Sequence, residues 1–290
     1  MANVTIDTAT NFLGEMWRDS ILDFAERTFR IRNQVTDLSS ELANGGRTLH
    51  TPRVDEETAT SKSAGTAVTY GATTDGTTDL TVDQHFFTAK LIEDVVKVQD
   101  SANLFAMYTR AMGYALGKKV ENYLADVVIQ GSTAHDTALA NDNIMTATLL
   151  RTGLQTLLDI GVDYTDGSRN VYLYGSPAIY LSILGLDQFV SWEKIGAAKP
   201  SGNVTGSVGE VYGIPTFQST DWGSGGGTGE EAASVFTRES VQYASQLLRV
   251  ESDYSIDDLG TKVVADVLFG AVLTQGAGDA ASQIINWTNP

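Results

Sequence analysis

Apolar positions recur along this chain with two different periods, and the changeovers between them mark its elements. Leu13, Trp17, Ile21 and Phe24 recur at helical spacing with Arg18, Asp19 and Glu26 between them, which predicts an amphipathic helix over residues 11–29. From Asn33 to Arg53 large apolar residues are few and Gly45-Gly46 breaks the pattern, so an extended arm is expected. Residues 54–81 carry only Val54, Val68, Tyr70 and Leu80 as bulky apolar side chains. Thr66-Ala67-Val68-Thr69-Tyr70 nonetheless has strand composition, and Asp75-Gly76 is a hairpin turn signal. The expectation is a projecting two-stranded hairpin that adds little to its own core and needs a partner surface to stay ordered.

Phe86 to Ile92 alternates as a strand, with Phe87, Ala89 and Leu91 on one face. A long helix is predicted from Ala102 to Gln130. Leu104, Tyr108, Met112, Leu116, Val120, Leu124 and Val128 form one ridge along it, and Gly131 ends it. At 1.5 Å per residue it spans roughly 40 Å. Beyond residue 140 helices and strands alternate. Leu149, Leu150, Leu154, Leu157 and Leu158 define a helix stopping at Gly161, and Val171 to Tyr174 reads as a strand. Ser176-Pro177 is a cap and first-turn proline for a helix running to Gly185. Gly213-Ile214-Pro215 reads as a turn, and Gly223 to Gly229 as a loop. A further helix is expected from Thr237 to Leu248, then a strand from Lys262 to Leu273 buried on both faces.

Length and composition narrow this picture. With 290 residues, 42% of them apolar, the chain can bury one large domain or two that share a core. It has no cysteine, which removes disulfides, thiolate zinc sites and cysteine nucleophiles together. No stretch reaches the ~18–20 uninterrupted apolar residues of a membrane helix. The net charge of −17 is uneven: residues 1–53 hold six arginines against seven acids, so almost all of the excess lies beyond them. Such a surface repels phosphate, so DNA contact is expected to be weak and confined to Arg18, Arg27, Arg30 and Arg32.

The search for reactive groups yields little. His50, His85 and His135 lack metal-ligand spacing, the glycine-rich loop lacks the lysine of a phosphate cradle, and no nucleophile elbow appears. Neither a catalytic residue nor a cofactor is expected. The acids Asp55-Glu56-Glu57 and those between Asp253 and Asp258 read first as solvated surface; a carboxylate-dependent hydrolase is the rival they leave open. Tyr172, Tyr174, Tyr180, Trp192 and Tyr212 suit either a sugar platform or core and subunit packing.

The order of these elements resembles the Hong Kong 97-type fold of tailed-phage major capsid proteins, an α+β class. Leu80 to Asp100 resembles that family's passage from its E-loop through a P-domain strand into the spine helix. Ala111 to Ala125 resembles the spine helix, and Tyr172 to Pro177 and Gly209 to Pro215 resemble A-domain segments. The resemblance implies an N-terminal arm at 1–49 and an E-loop at 50–86. It implies a P-domain at 87–139 and 245–270, with the spine helix near 102–130, and an A-domain at 140–244 and 271–290. It further implies hexamers and pentamers tiling an icosahedral virion shell around double-stranded DNA, with a portal, possible decoration proteins and no membrane, assembled in the bacterial cytoplasm. Nothing resembling the family's fused scaffolding segment precedes the arm, so a separate scaffolding protein is expected. Arg53, Lys62, Tyr70 and Trp17 are the residues expected at subunit contacts; Lys62 is the one lysine of the loop. An encapsulin-type nanocompartment shell shares the fold and is the alternative.

Overall fold

The computed structural model describes residues 31–43, 45–54, 59–68, 70, 75–94, 104–139, 144–164, 170–186, 209–219, 222, 231–276 and 278–288. The helix expected over 11–29, with Trp17, and the glycine loop at 223–229 lie outside these residues. In chain order the main elements are β1 (Thr36–Asp37), α1 (Ser39–Leu42), β2 (Thr48–Val54), β3 (Asp75–Thr81), β4 (Gln84–Glu93) and α2 (Leu104–Gly131). There follow β5 (Asp136–Ala138), α3 (Ala147–Asp159), β6 (Val171–Gly175), α4 (Pro177–Leu184), β7 (Glu210–Val211) and β8 (Ile214–Gln218). The last are β9 (Ala232–Thr237), β10 (Val241–Ser255), β11 (Gly260–Leu273) and β12 (Ile284–Thr288).

The long helix α2 forms because its apolar ridge has something to cover. Met112, Leu116, Val120 and Leu124 are buried against Val263, Ala265, Val267 and Phe269 of β11, while Tyr108 at the near end is exposed. Tyr123 meets Phe269 edge-on at 5.3 Å, and Lys119 Nζ lies 5.0 Å over the Phe86 ring. The sheet under this helix has the order β1-β10-β11-β4, which leaves β4 as an edge strand ten residues long.

A second sheet, ordered β5-β12-β9-β6-β8-β7, is buried on both faces, and strand parity divides its side chains between two cores. Tyr174, Phe236 and Ile284 join the core under α2. Leu173, Val235, Ile285 and Trp287 face α3 and α4 on the other side. Thr146 caps α3 by accepting from Leu149 N, and Ser176 caps α4 by accepting from Ile179 N, as Ser176-Pro177 predicted. Gly153 of α3 is obligatory: a Cβ there would stand 2.2 Å from Cζ2 of Trp287.

Six expectations need correction. Residues 241–248 belong to the 15-residue strand β10, with only a 3-10 turn at Arg238–Ser240 before it. The hairpin strands are β2 and β3, paired from Thr48↔Thr81 to Val54↔Asp75, so Asp75-Gly76 opens a strand. Thr66 to Val68 and Tyr70 are not in a strand. Leu80 is fully buried with Leu42, Val82 and Ala244, so the base of the hairpin does belong to the core. The turn near Pro215 is Tyr212-Gly213, whose φ values of 52° and 82° suit the tight β7–β8 reversal. Strand β11 is covered on both faces only in its middle: Lys262 and Val264 are exposed, Ala265, Asp266 and Val267 buried.

Candidate functional site

The features open to a partner lie at the hairpin and on the outer face of the four-stranded sheet, opposite α2. The hairpin is fixed at its base. Arg53 Nη1 donates to Asp279 Oδ2 at 2.9 Å, Thr78 Oγ1 donates to the Thr274 carbonyl at 2.7 Å, and Thr51 Oγ1 donates to Gln242. His50 Nδ1 and Asp79 Oδ1 pair across the strands at 2.6 Å. The corner from β3 into β4 crosses directly over β11. A Cβ on Gly270 would stand 2.1 Å from the Thr81 carbonyl oxygen, so this backbone approach admits only glycine.

Beyond that base the described residues of the hairpin find no cover among the other described residues of the chain. Residues 59–68 and Tyr70 are all exposed, Tyr70 by 91% and Val68 by 55%. Lys62 lies in this exposed tip. Lys62 and Tyr70 are thus both exposed in the same segment, and Arg53 is in an ion pair within its own chain. Trp17 lies outside the described residues.

On the outer sheet face, Phe87, Ala89 and Leu91 do share one face of β4, and it is the exposed one: Phe87 is 70% exposed. Val264 is exposed opposite Ala89. Beside them Asp266 is buried and accepts from Arg249 Nε at 3.2 Å and from His85 Nε2 at 3.0 Å. Its burial pushes the carboxyl up, but the hydrogen bonds from His85 and Arg249, with the guanidinium charge, outweigh this and hold it below the usual carboxylate range. This three-strand ion group was not evident in the sequence, nor was buried Glu121 of α2, which accepts the Ile31 backbone N–H at 2.9 Å. With Tyr174 donating to Gln34, Glu121 fixes the root of the N-terminal segment between α2 and the second sheet.

Asp55-Glu56-Glu57 lie outside the described residues, and most of the other sequence candidates have partners within the chain. Asp258 is held below its ordinary range by hydrogen bonds from Lys262 and Ser255 and by the lysine charge, in the turn joining β10 to β11. His50, His85 and His135 stand in separate places, the last with its Nε2–H donating to the Ala280 carbonyl oxygen at 3.1 Å. No three His, Asp or Glu side chains among the described residues gather as a metal site. Tyr174 stacks on Trp222 and Phe217 at 4.8 and 5.2 Å, so its ring faces are occupied by the core. Trp192 lies outside the described residues. No helix among the described residues is long and apolar enough to cross a membrane.

A long helix laid across an antiparallel sheet, a hairpin fixed at its base with an uncovered tip, and a second sheet buried on both faces together define the α+β fold of phage capsid proteins, the class expected from the sequence. A chain of Mycobacterium phage Che8 superposes with a TM-score of 0.73 at 22% identity, covering 89% of this chain and 90% of that one. The mature capsid of bacteriophage PhiM1 gives 0.70 at 11% identity, over 90% and 86% of the two chains. A virus-like particle from Pyrococcus furiosus gives 0.59 at 10% identity, over 94% and 98%. No family model and no curated protein matches by sequence.

Proposed function

We propose that this chain is the major capsid protein of a tailed phage, assembling as hexamers and pentamers into an icosahedral head around double-stranded DNA. The observation that carries the reading is a phage-capsid fold whose hairpin tip, with Tyr70 91% exposed, is left uncovered by the other described residues of its own chain. A tile satisfies such a loop only against a neighbour. In this reading residues 1–49 are the arm and 50–86 the E-loop. The P-domain takes 87–139 and 245–270, and the A-domain takes 140–244 and 271–290. Trp17, Arg53, Lys62 and Tyr70 lie at or near subunit contacts. The partners are other copies of the chain, a separate scaffolding protein, a portal and a decoration protein; the acidic surface keeps packaged DNA weakly bound. The role asks for no catalytic residue and no cofactor.

Light scattering and negative-stain microscopy of the full chain, with and without its scaffold, test the reading. Rings or closed shells are expected, and a strictly monomeric protein under both conditions overturns it. The likeness to the Pyrococcus furiosus particle over nearly the whole chain favours a second reading, a nanocompartment shell. The contents of purified particles decide: packaged DNA for the first, a protein cargo for the second.

A further inference from the structure

Helix α2 has a second face. Its ridge Met112, Leu116, Val120 and Leu124 is buried on the four-stranded sheet, and the side turned away from that sheet stays exposed. Arg110, Tyr114 and Lys118 follow one another there at four-residue steps, so they form a row about 12 Å long. Ala111 and Ala115 lie beside the row. Lys119 borders them on the far side, where its ammonium sits over the Phe86 ring.

The composition of this face is selective. Its exposed residues from Tyr108 to Lys119 are two tyrosines, two alanines, one arginine and two lysines. No acid occurs between Leu104 and Val120, although the whole chain carries a net charge of −17. The acids of α2 come later: Glu121 is buried and accepts the Ile31 N–H, and Asp126 is partly buried. A helix face that docks on protein presents large aliphatic side chains, and none is exposed from Tyr108 to Lys119. Phosphate asks for what this face has. Guanidinium and ammonium groups neutralise it, a phenol donates to its oxygens, and small residues between them let a polyanion backbone come close. Duplex DNA carries one phosphate per about 3.4 Å of axis on each strand, so a row of about 12 Å spans three or four.

Resting on the reading of the chain as a shell around DNA, we propose that the exposed face of α2 is where packaged duplex touches that shell. Arg110, Lys118 and Lys119 neutralise phosphates, and Tyr114 donates to one. Because α2 lies along its sheet through its buried ridge, it meets the outside of a duplex and reads no base edges, so the contact is independent of sequence. Three phosphates per copy are few beside the roughly six to ten of a dedicated DNA-binding protein. Each contact is therefore weak and quickly remade, and the hold on DNA comes from repetition over many copies.

Fluorescence anisotropy of a labelled duplex of about 20 base pairs with the full chain, between about 50 and 200 mM salt, tests this. The slope of log K against log salt should be about −2.7 for three phosphates, so affinity should fall about fortyfold across that range. Arg110→Gln with Lys118→Gln leaves one cation, and the slope should shrink to about −0.9, a fall of roughly three- to fourfold. Arg47→Gln with Arg151→Gln makes the same change of net charge at exposed positions elsewhere and should keep the parent slope. No binding at the lowest salt, an unchanged slope in the first variant, or an equal loss in the second overturns the proposal. With the photo-crosslinking residue p-benzoylphenylalanine at position 114, adducts to the duplex are expected. Adducts to protein alone, whether another copy or the scaffold, assign this face to a protein partner and overturn the proposal as well. Negative-stain microscopy keeps the two readings apart. Shells from a chain that fails these tests leave the shell reading standing, and a parent that never assembles overturns that reading whatever its slope.

Discussion

Deleting residues 59–70 and rejoining the ends should separate folding from assembly, because the hairpin has a structural base and a free tip. Every described side chain removed is exposed, so the folded subunit loses almost no burial. Shortening the connection between β2 and β3 from about 20 residues to about eight lowers the closure cost by roughly 0.8 kcal/mol. The melting temperature of the isolated subunit should therefore stay the same or rise slightly. A longer deletion, residues 54–80, gives the contrast. It takes away β3, the Thr78 bond to Thr274 and fully buried Leu80. Losing a buried leucine alone costs ~2–5 kcal/mol, and at ~2–4 °C per kcal/mol for a chain of this size the melt should fall by roughly 4 to 20 °C. Circular dichroism follows folding and negative-stain microscopy follows assembly, which should fail for both. A short deletion that melts well below the parent, or one that still closes normal shells, refutes the division of this hairpin into base and tip.

Gly153→Ala pits two rules against each other. Helix propensity favours alanine by about 1 kcal/mol, but the new methyl would meet Trp287 at 2.2 Å and Ile285 at 3.1 Å. Overpacking of ~1–3 kcal/mol or more should win, seen as a lower melting temperature. Ser176→Ala removes the cap of α4 and should cost about 1 kcal/mol in denaturant unfolding, with little change in slope. The folded pKa of Asp266 lies below its unfolded value, so its stabilisation is complete above about pH 4 and is lost as pH falls through the folded value. Asp266→Asn should accordingly lower the melting temperature near neutrality, and the gap from the parent should close in acid. A gap that widens in acid contradicts the sign.

The parts legible in the sequence are those whose burial is one-sided and local. The ridge Met112, Leu116, Val120 and Leu124 follows a single helical period because one face meets the sheet, and the caps at Thr146 and Ser176 act over three residues. Strand β10 hid itself for two physical reasons. Val241 and Tyr243 are buried toward α2 while Gln242 and Ala244 are buried on the other side, so no alternation shows. A bulge between Ser245 and Leu247 then shifts the phase, bringing Leu248 and Val250 onto the α2 side. Asp75-Gly76 misled because the same dipeptide suits a strand start when the true reversal lies farther out. Asp266 and Glu121 could not be found locally: Asp266 bonds residues 17 and 181 positions away, and Glu121 bonds one 90 away.

The six-stranded sheet has a consequence for how the molecule comes apart. Tyr174 belongs to one core and Leu173 to the other, and so do Phe236 and Val235, or Ile284 and Ile285. Each of these strands is a party wall, and neither side can melt while the wall stands. Loosening α3 exposes the backs of strands whose fronts hold α2, so damage on one side is felt on the other. The chain should behave as one cooperative unit in calorimetry, with van't Hoff and calorimetric enthalpies in agreement. Amide exchange in β6, β9 and β12 should then proceed only through global unfolding, leaving the free hairpin tip as the place where local opening is fast.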